Sequence, residues 1–189
     1  MIKIAIFASG GGSNAQKIIE YFNTHHNIEV GLVVTNNQDA GVINIAEMNN
    51  IPVVVMERSV FKEGTAIIQL LEEYRINFII LAGFLLLIPG KLIQAFPDKI
   101  LNIHPSLLPK YGGKGMYGQH VHEKVKEMGD LETGMTIHLV DEKYDQGRII
   151  FQEKCTITPQ MNSHQIAIEV LKLEHKNYGR VIEDYIINF

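Results

Sequence analysis

The chain has 189 residues, 46% hydrophobic and 20% charged, with a net charge of −4. That balance supports one domain over 1–189 with a sizeable core, and it excludes a disordered chain and a broad polyanion-binding surface. The single cysteine, Cys155, excludes an internal disulfide and fits a reducing compartment. The N-terminal apolar run, Ile2 to Ala8, lacks the basic flank of a signal peptide. The longest apolar stretch, Phe78 to Pro89, is about half a membrane span. A cytoplasmic protein with no membrane or nucleic-acid partner is expected.

Lys3 to Ala8 reads as a strand buried on both faces. Ser9-Gly10-Gly11-Gly12-Ser13-Asn14 follows, then a helical pattern over Ala15 to Phe22. Strand, glycine loop, helix presents backbone N–H groups to an anion, with Ser13 or Asn14 available as a cap. Gly10, Gly12 and Ala15 also fit the dinucleotide pattern. That pattern wants an acid after the second strand, Val30 to Val34, and Thr35-Asn36-Asn37 stands there instead. A single phosphate is the better expectation.

Asp39 to Asn50 reads as a helix and Ile51 to Met56 as a third strand. A helix capped by Ser59 is predicted from near Val60, faltering at Gly64 and running through Tyr74. A fourth strand over Phe78 to Ala82 and a helix over Pro89 to Phe96, opened by its proline, come next. The fifth strand, Lys99 to His104, ends at Pro105. Five alternations of strand and helix imply a Rossmann-like, mostly parallel sheet with helices on both faces. In such sheets ligands lie beyond the carboxyl ends of the strands, where the glycine loop and Asn102/His104 both fall.

Pro105 to Gly118 is a glycine-rich, mildly basic loop, and Gln119 to Met128 a helix. Gly134 to Val140 alternates apolar and polar residues, as a half-exposed strand does. The turn Asp141 to Gly147 joins it to a strand over Arg148 to Ile157, giving an antiparallel pair and about seven strands in all. Ser163 to about Ile187 fits one long amphipathic helix with a weak point at Gly179.

Asn102 and His104 are two apart on a strand and so share a face. An amide beside an imidazole can polarise a carbonyl and hold the oxyanion formed when it is attacked. A carboxylate near His104 would favour its charged form, and Asp141, Glu142 and Asp145 compete for that place. Metal chemistry is not expected: the eight histidines are scattered and no H-E-x-x-H occurs. Ser106 lacks a G-x-S-x-G elbow, which argues against a serine hydrolase.

The string Asn102-Ile103-His104-Pro105-Ser106-Leu107-Leu108-Pro109-Lys110-Tyr111, with Leu81-Ala82-Gly83-Phe84 before it and Asp145-Gln146-Gly147 after it, resembles the folate-dependent formyltransferases. With the Ser9–Asn14 loop, the resemblance is to their glycinamide ribonucleotide branch, in de novo purine biosynthesis. It implies transfer of a formyl group from 10-formyltetrahydrofolate, a cosubstrate, to the amine of 5-phosphoribosylglycinamide. It also implies Asn102 and His104 as oxyanion stabilisers, with Asp145 keeping His104 protonated. Gly12, Ser13 and Asn14 would take the 5′-phosphate, and Glu174 the ribose and glycinamide. The pterin would lie against Leu85, Leu86, Leu87 and Ile88, read by backbone groups of Leu85 and Leu87, and against Asn102, Asp141 and Asp145. His122 matches a recurring histidine. Leu86 stands where relatives often carry Arg, and Arg58 and Lys62 are the nearest basic residues before the third helix. The Gly112–Gly118 loop is longer and richer in glycine than in many members. The resemblance also admits formyltetrahydrofolate hydrolase and methionyl-tRNA formyltransferase. A non-catalytic nucleotide-binding module would leave Asn102, His104 and Asp145 without a role. A monomer or homodimer is expected.

Overall fold

A computed structural model describes residues 1–189. The chain divides into two compact units, Met1–Asn102 and Ile103–Phe189. It carries seven strands and seven helices.

In the first unit β1 (Ile2–Phe7), β2 (Ile28–Thr35), β3 (Val53–Val55), β4 (Phe78–Leu81) and the start of β5 (Ile100–His104) are all parallel. Their lateral order is β3-β2-β1-β4-β5. The order reverses between β1 and β4, so the loop leaving β1 lies at the switch point. Ile4, Ala5, Ile6, Phe7 and Ile79, Ile80 are fully buried, as expected of central strands covered on both faces. The helices are α1 (Ser13–Phe22), α2 (Val42–Met48), α3 (Arg58–Glu63), α4 (Thr65–Glu73) and α5 (Gly90–Ala95). The expected falter at Gly64 is a full break: its φ of +79 ends α3 and starts α4. Ser59 lies inside α3 rather than capping it, because Glu57 is the cap residue. Pro89 is the cap of α5, one place before the predicted first turn.

In the second unit α6 (Gln119–Met128) and α7 (Ser163–Ile187) accompany the antiparallel pair β6 (Glu132–Leu139) and β7 (Ile149–Thr156). The helix α7 opens on a capping box. The Asn162 side chain accepts from the Gln165 N–H, and Gln165 accepts from the Asn162 N–H, both at 2.9 Å. It runs without interruption through Gly179, which is buried. Strand β6 departs from expectation: it is buried along nearly its whole length, while the alternation falls on β7. Its polar residues Thr133, Thr136 and His138 are all inside. No helix is long and apolar enough to cross a membrane.

Candidate active site

Strand β5 ends on His104, of which only 4% is exposed. The chain then turns through Pro105–Tyr111, and buried polar bonds shape that turn. Ser106 donates to the Lys110 carbonyl at 2.6 Å. Thr136 donates to the Ser106 carbonyl at 2.6 Å and accepts from the Leu108 N–H at 3.0 Å. Gln152 donates to both Thr136 and the Leu108 carbonyl.

The turn brings the Tyr111 carbonyl to 2.7 Å from His104 Nε2. A carbonyl only accepts, so Nε2 carries the hydrogen. Nδ1 then faces Asp145 Oδ1 at 3.6 Å. Asp145 is the acid, of the three the sequence left open, that reaches His104. Asp141 instead accepts from the Lys143 N–H at 2.9 Å within its own turn, and Glu142 is exposed. Gly147 has no room for a side chain, since a Cβ would lie 1.8 Å from the Leu139 carbonyl. That close crossing holds the turn in place. The other carboxylate oxygen of Asp145, Oδ2, accepts from the Gly113 N–H at 2.8 Å.

A second histidine completes the cluster, and sequence reasoning missed it. His138 Nδ1 donates to the Leu139 carbonyl at 2.7 Å, and its Nε2 faces the same Asp145 Oδ1 at 3.6 Å. Both rings thus hold their far N–H on a main-chain carbonyl and turn the near nitrogen toward one carboxylate. The available signal was a histidine in a strand whose polar positions read as solvent-facing.

Burial and a neighbouring carboxylate act on His104 in opposite directions. Burial lowers its pKa, and the opposing pull of Asp145 and the Tyr111 carbonyl does not overcome it. With Nε2 held on the Tyr111 carbonyl, Nδ1 is the nitrogen placed to exchange a proton beside Asp145. Burial would raise Asp145, but His138, the charge of His104 and the Gly113 N–H together hold it below the usual carboxylate range.

His122 on α6 is 5% exposed, and its Nδ1 has no hydrogen-bond partner. Burial, then the charge of His104, pushes its pKa down to about 4. Unfolding returns it to about 6.5, so the unfolded chain binds more protons between those values. Stability is then expected to fall as pH drops from 6.5 to 4, by up to about 3 kcal/mol from His122. His104 acts in the same direction. Urea titrations across that range check this, and His122→Asn is expected to flatten the slope.

In the first unit the glycine loop behaves as a cradle. Gly12, at φ +81, is the cap residue of α1, and no side chain caps the first turn. Neither Ser13 nor Asn14 caps it, contrary to expectation. A Cβ on Gly12 would meet Val42 at 2.9 Å, so α2 braces the loop from behind. Asn36, standing where a ribose-binding acid would be, accepts from Ser9 Oγ at 2.6 Å. Ser9 Oγ in turn accepts from the Leu85 N–H at 3.0 Å. In this structure the Leu85 amide is therefore tied to the glycine loop through Ser9. Phe84 packs edge-on against Phe7 and Phe61, with centroids at 5.3 and 5.1 Å, and anchors the segment. Leu85 and Leu87 stay 51% and 47% exposed while Ile88 is buried and Leu86 half-buried, giving an apolar ledge.

Asn102 is half-buried and pairs with Leu81 of β4. It precedes His104 by two residues on one strand and so shares its face. Glu174 is buried on α7, and after burial its charge raises the Tyr178 phenol. No group of three or more His, Cys, Asp or Glu side chains is placed to hold a metal ion.

A family model described as formyl transferase matches residues 2–182. The chain is 44% identical over 186 residues to the chloroplastic phosphoribosylglycinamide formyltransferase of Arabidopsis thaliana, covering 95% of this chain and 64% of that protein. It therefore spans just under two thirds of that plant relative. It is 37% identical to the phosphoribosylglycinamide formyltransferase of Bacillus subtilis, over 97% of this chain and 94% of that one. The crystal structure of the Bacillus halodurans phosphoribosylglycinamide formyltransferase superposes with a TM-score of 0.89 at 34% identity, covering 96% and 94% of the two chains.

Proposed function

This chain belongs to the formyl transferase family, and we propose that it moves the formyl group of 10-formyltetrahydrofolate onto the amine of 5-phosphoribosylglycinamide. The observation that carries the reading is the His104 Nδ1–Asp145 pair at 3.6 Å, with Nε2 fixed on a carbonyl. That pair can accept a proton from one nitrogen and return it to another. The uncapped glycine loop supports a phosphorylated acceptor, and the similarity to phosphoribosylglycinamide formyltransferases supports this one.

In this account the substrate amine attacks the formyl carbon, and a C–N bond forms. The carbonyl oxygen becomes an oxyanion, which the Asn102 amide holds. The new ammonium loses its proton to the neutral Nδ1 of His104. Asp145 stabilises the imidazolium formed there. His104 then protonates the folate nitrogen as the old C–N bond breaks, releasing formylated ribonucleotide and tetrahydrofolate. Gly12, Ser13 and Asn14 take the 5′-phosphate, and Glu174 contacts the sugar or glycinamide. The ledge of Leu85, Leu86, Leu87 and Ile88, with Asp141, takes the pterin. We read residues 1–189 as one formyltransferase domain, working in the cytoplasm as a monomer or homodimer and without a metal.

The test is deformylation of the folate followed by absorbance. It is expected only when the ribonucleotide is present and to fail with its dephosphorylated form. Deformylation at the same rate without any acceptor would make the protein a hydrolase and overturn the reading.

A further inference from the structure

Tyr111 adopts φ +56, a left-handed conformation rare for a non-glycine residue. Three anchors impose it. Its ring packs against Val125, Ile157 and Ile166. Its hydroxyl donates to Asp130 Oδ2 at 2.8 Å. The carbonyl just before it, of Lys110, accepts from the fully buried Ser106 at 2.6 Å. The result is a Tyr111 carbonyl aimed at His104 Nε2 from 2.7 Å.

We propose that Tyr111, tethered by Asp130, is a positioning residue that fixes the tautomer of His104, so that Nδ1 is the nitrogen that exchanges protons. Without that carbonyl a neutral His104 would be free to carry its hydrogen on Nδ1. It would then donate to Asp145 and have no lone pair beside it. The tether is suited to neutral pH. Burial, then Asp130, pushes the Tyr111 phenol up to about 12, so it remains a donor. The Tyr111 hydroxyl, with Lys110, holds Asp130 below the usual carboxylate range, so it remains an acceptor. Lys110 lies 3.3 Å from the same Asp130 oxygen but is exposed, so the phenol is the tighter tie.

The role in turnover rests on the function proposed above; the tautomer itself does not. The experiment compares wild type with Tyr111→Phe, which keeps the ring, and Asp130→Asn. Imidazole 15N shifts of His104 are read above its titration, alongside kcat and KM. Wild type is expected to show a protonated Nε2 and a bare Nδ1. Both variants are expected to show mixed tautomers, kcat lower by about tenfold, and KM within about twofold, a part of the 10²–10⁴ that acid–base catalysis supplies. A purely structural tie would lower the melting temperature and leave the 15N pattern unchanged, and that result overturns the proposal. Mixed tautomers with unchanged turnover would keep the tether but refute His104 as the proton carrier. Melting curves establish that each variant is folded, and either one alone decides the tautomer.

Discussion

His104→Ala is expected to lower kcat by at least about a hundredfold, with KM for the ribonucleotide changed little. Proton transfer by a placed side chain is worth about 10²–10⁴ in rate, and a hundredfold loss is about 2.7 kcal/mol of barrier. The ring is 4% exposed and held by one main-chain bond, so it has no second role at the surface. The effect should appear in kcat because the proton moves only after the amine has attacked. Steady-state kinetics on a variant with an unchanged circular dichroism spectrum provide the check. Near-wild-type turnover would remove His104 from the chemistry.

Asp145→Asn is expected to cost a similar factor by a different route. The amide oxygen still accepts the Gly113 N–H, so the loop stays attached. The negative charge beside both histidines is lost. Because Asp145 is the larger of the two groups that oppose burial at His104, its removal lowers that pKa further, and the imidazolium formed in turnover loses its counter-charge. Asp145→Ala removes the Gly113 anchor as well, so KM should rise in the alanine variant and not in the asparagine one. Kinetics of the pair separate charge from tethering. Equal kcat in wild type and Asp145→Asn would show that charge plays no part.

The parallel half of the fold was legible because its strands are apolar on both faces and its helices are punctuated by Gly64, Pro89 and Pro97. The predicted spans of α6 and α7 agree with the structure to the residue. Strand β6 was misread for a physical reason. Alternating Thr136 and His138 resemble a wetted face, but each is buried because its polar atoms meet the Ser106 carbonyl and Asp145. Period-two patterning records polarity and does not record which polar groups find partners inside. The same limit applied to the choice among Asp141, Glu142 and Asp145. Spacing places all three in one turn, and only the path of the turn, fixed where Gly147 crosses Leu139, selects Asp145. The direction of the His104 pKa shift was out of reach as well. It depends on burial outweighing a neighbouring carboxylate, a balance that lies in three-dimensional packing.

In the proposed reaction one enzyme-bound step joins the formyl carbon to the glycinamide nitrogen. The direct measurement is NMR of a single turnover with 13C-formyl folate and ribonucleotide labelled with 15N at its amine. The account predicts a product whose formyl carbon shows one-bond coupling to that nitrogen, formed by wild type and not on the same timescale by His104→Ala. A 13C signal that appears as free formate, with the ribonucleotide unchanged, would contradict it.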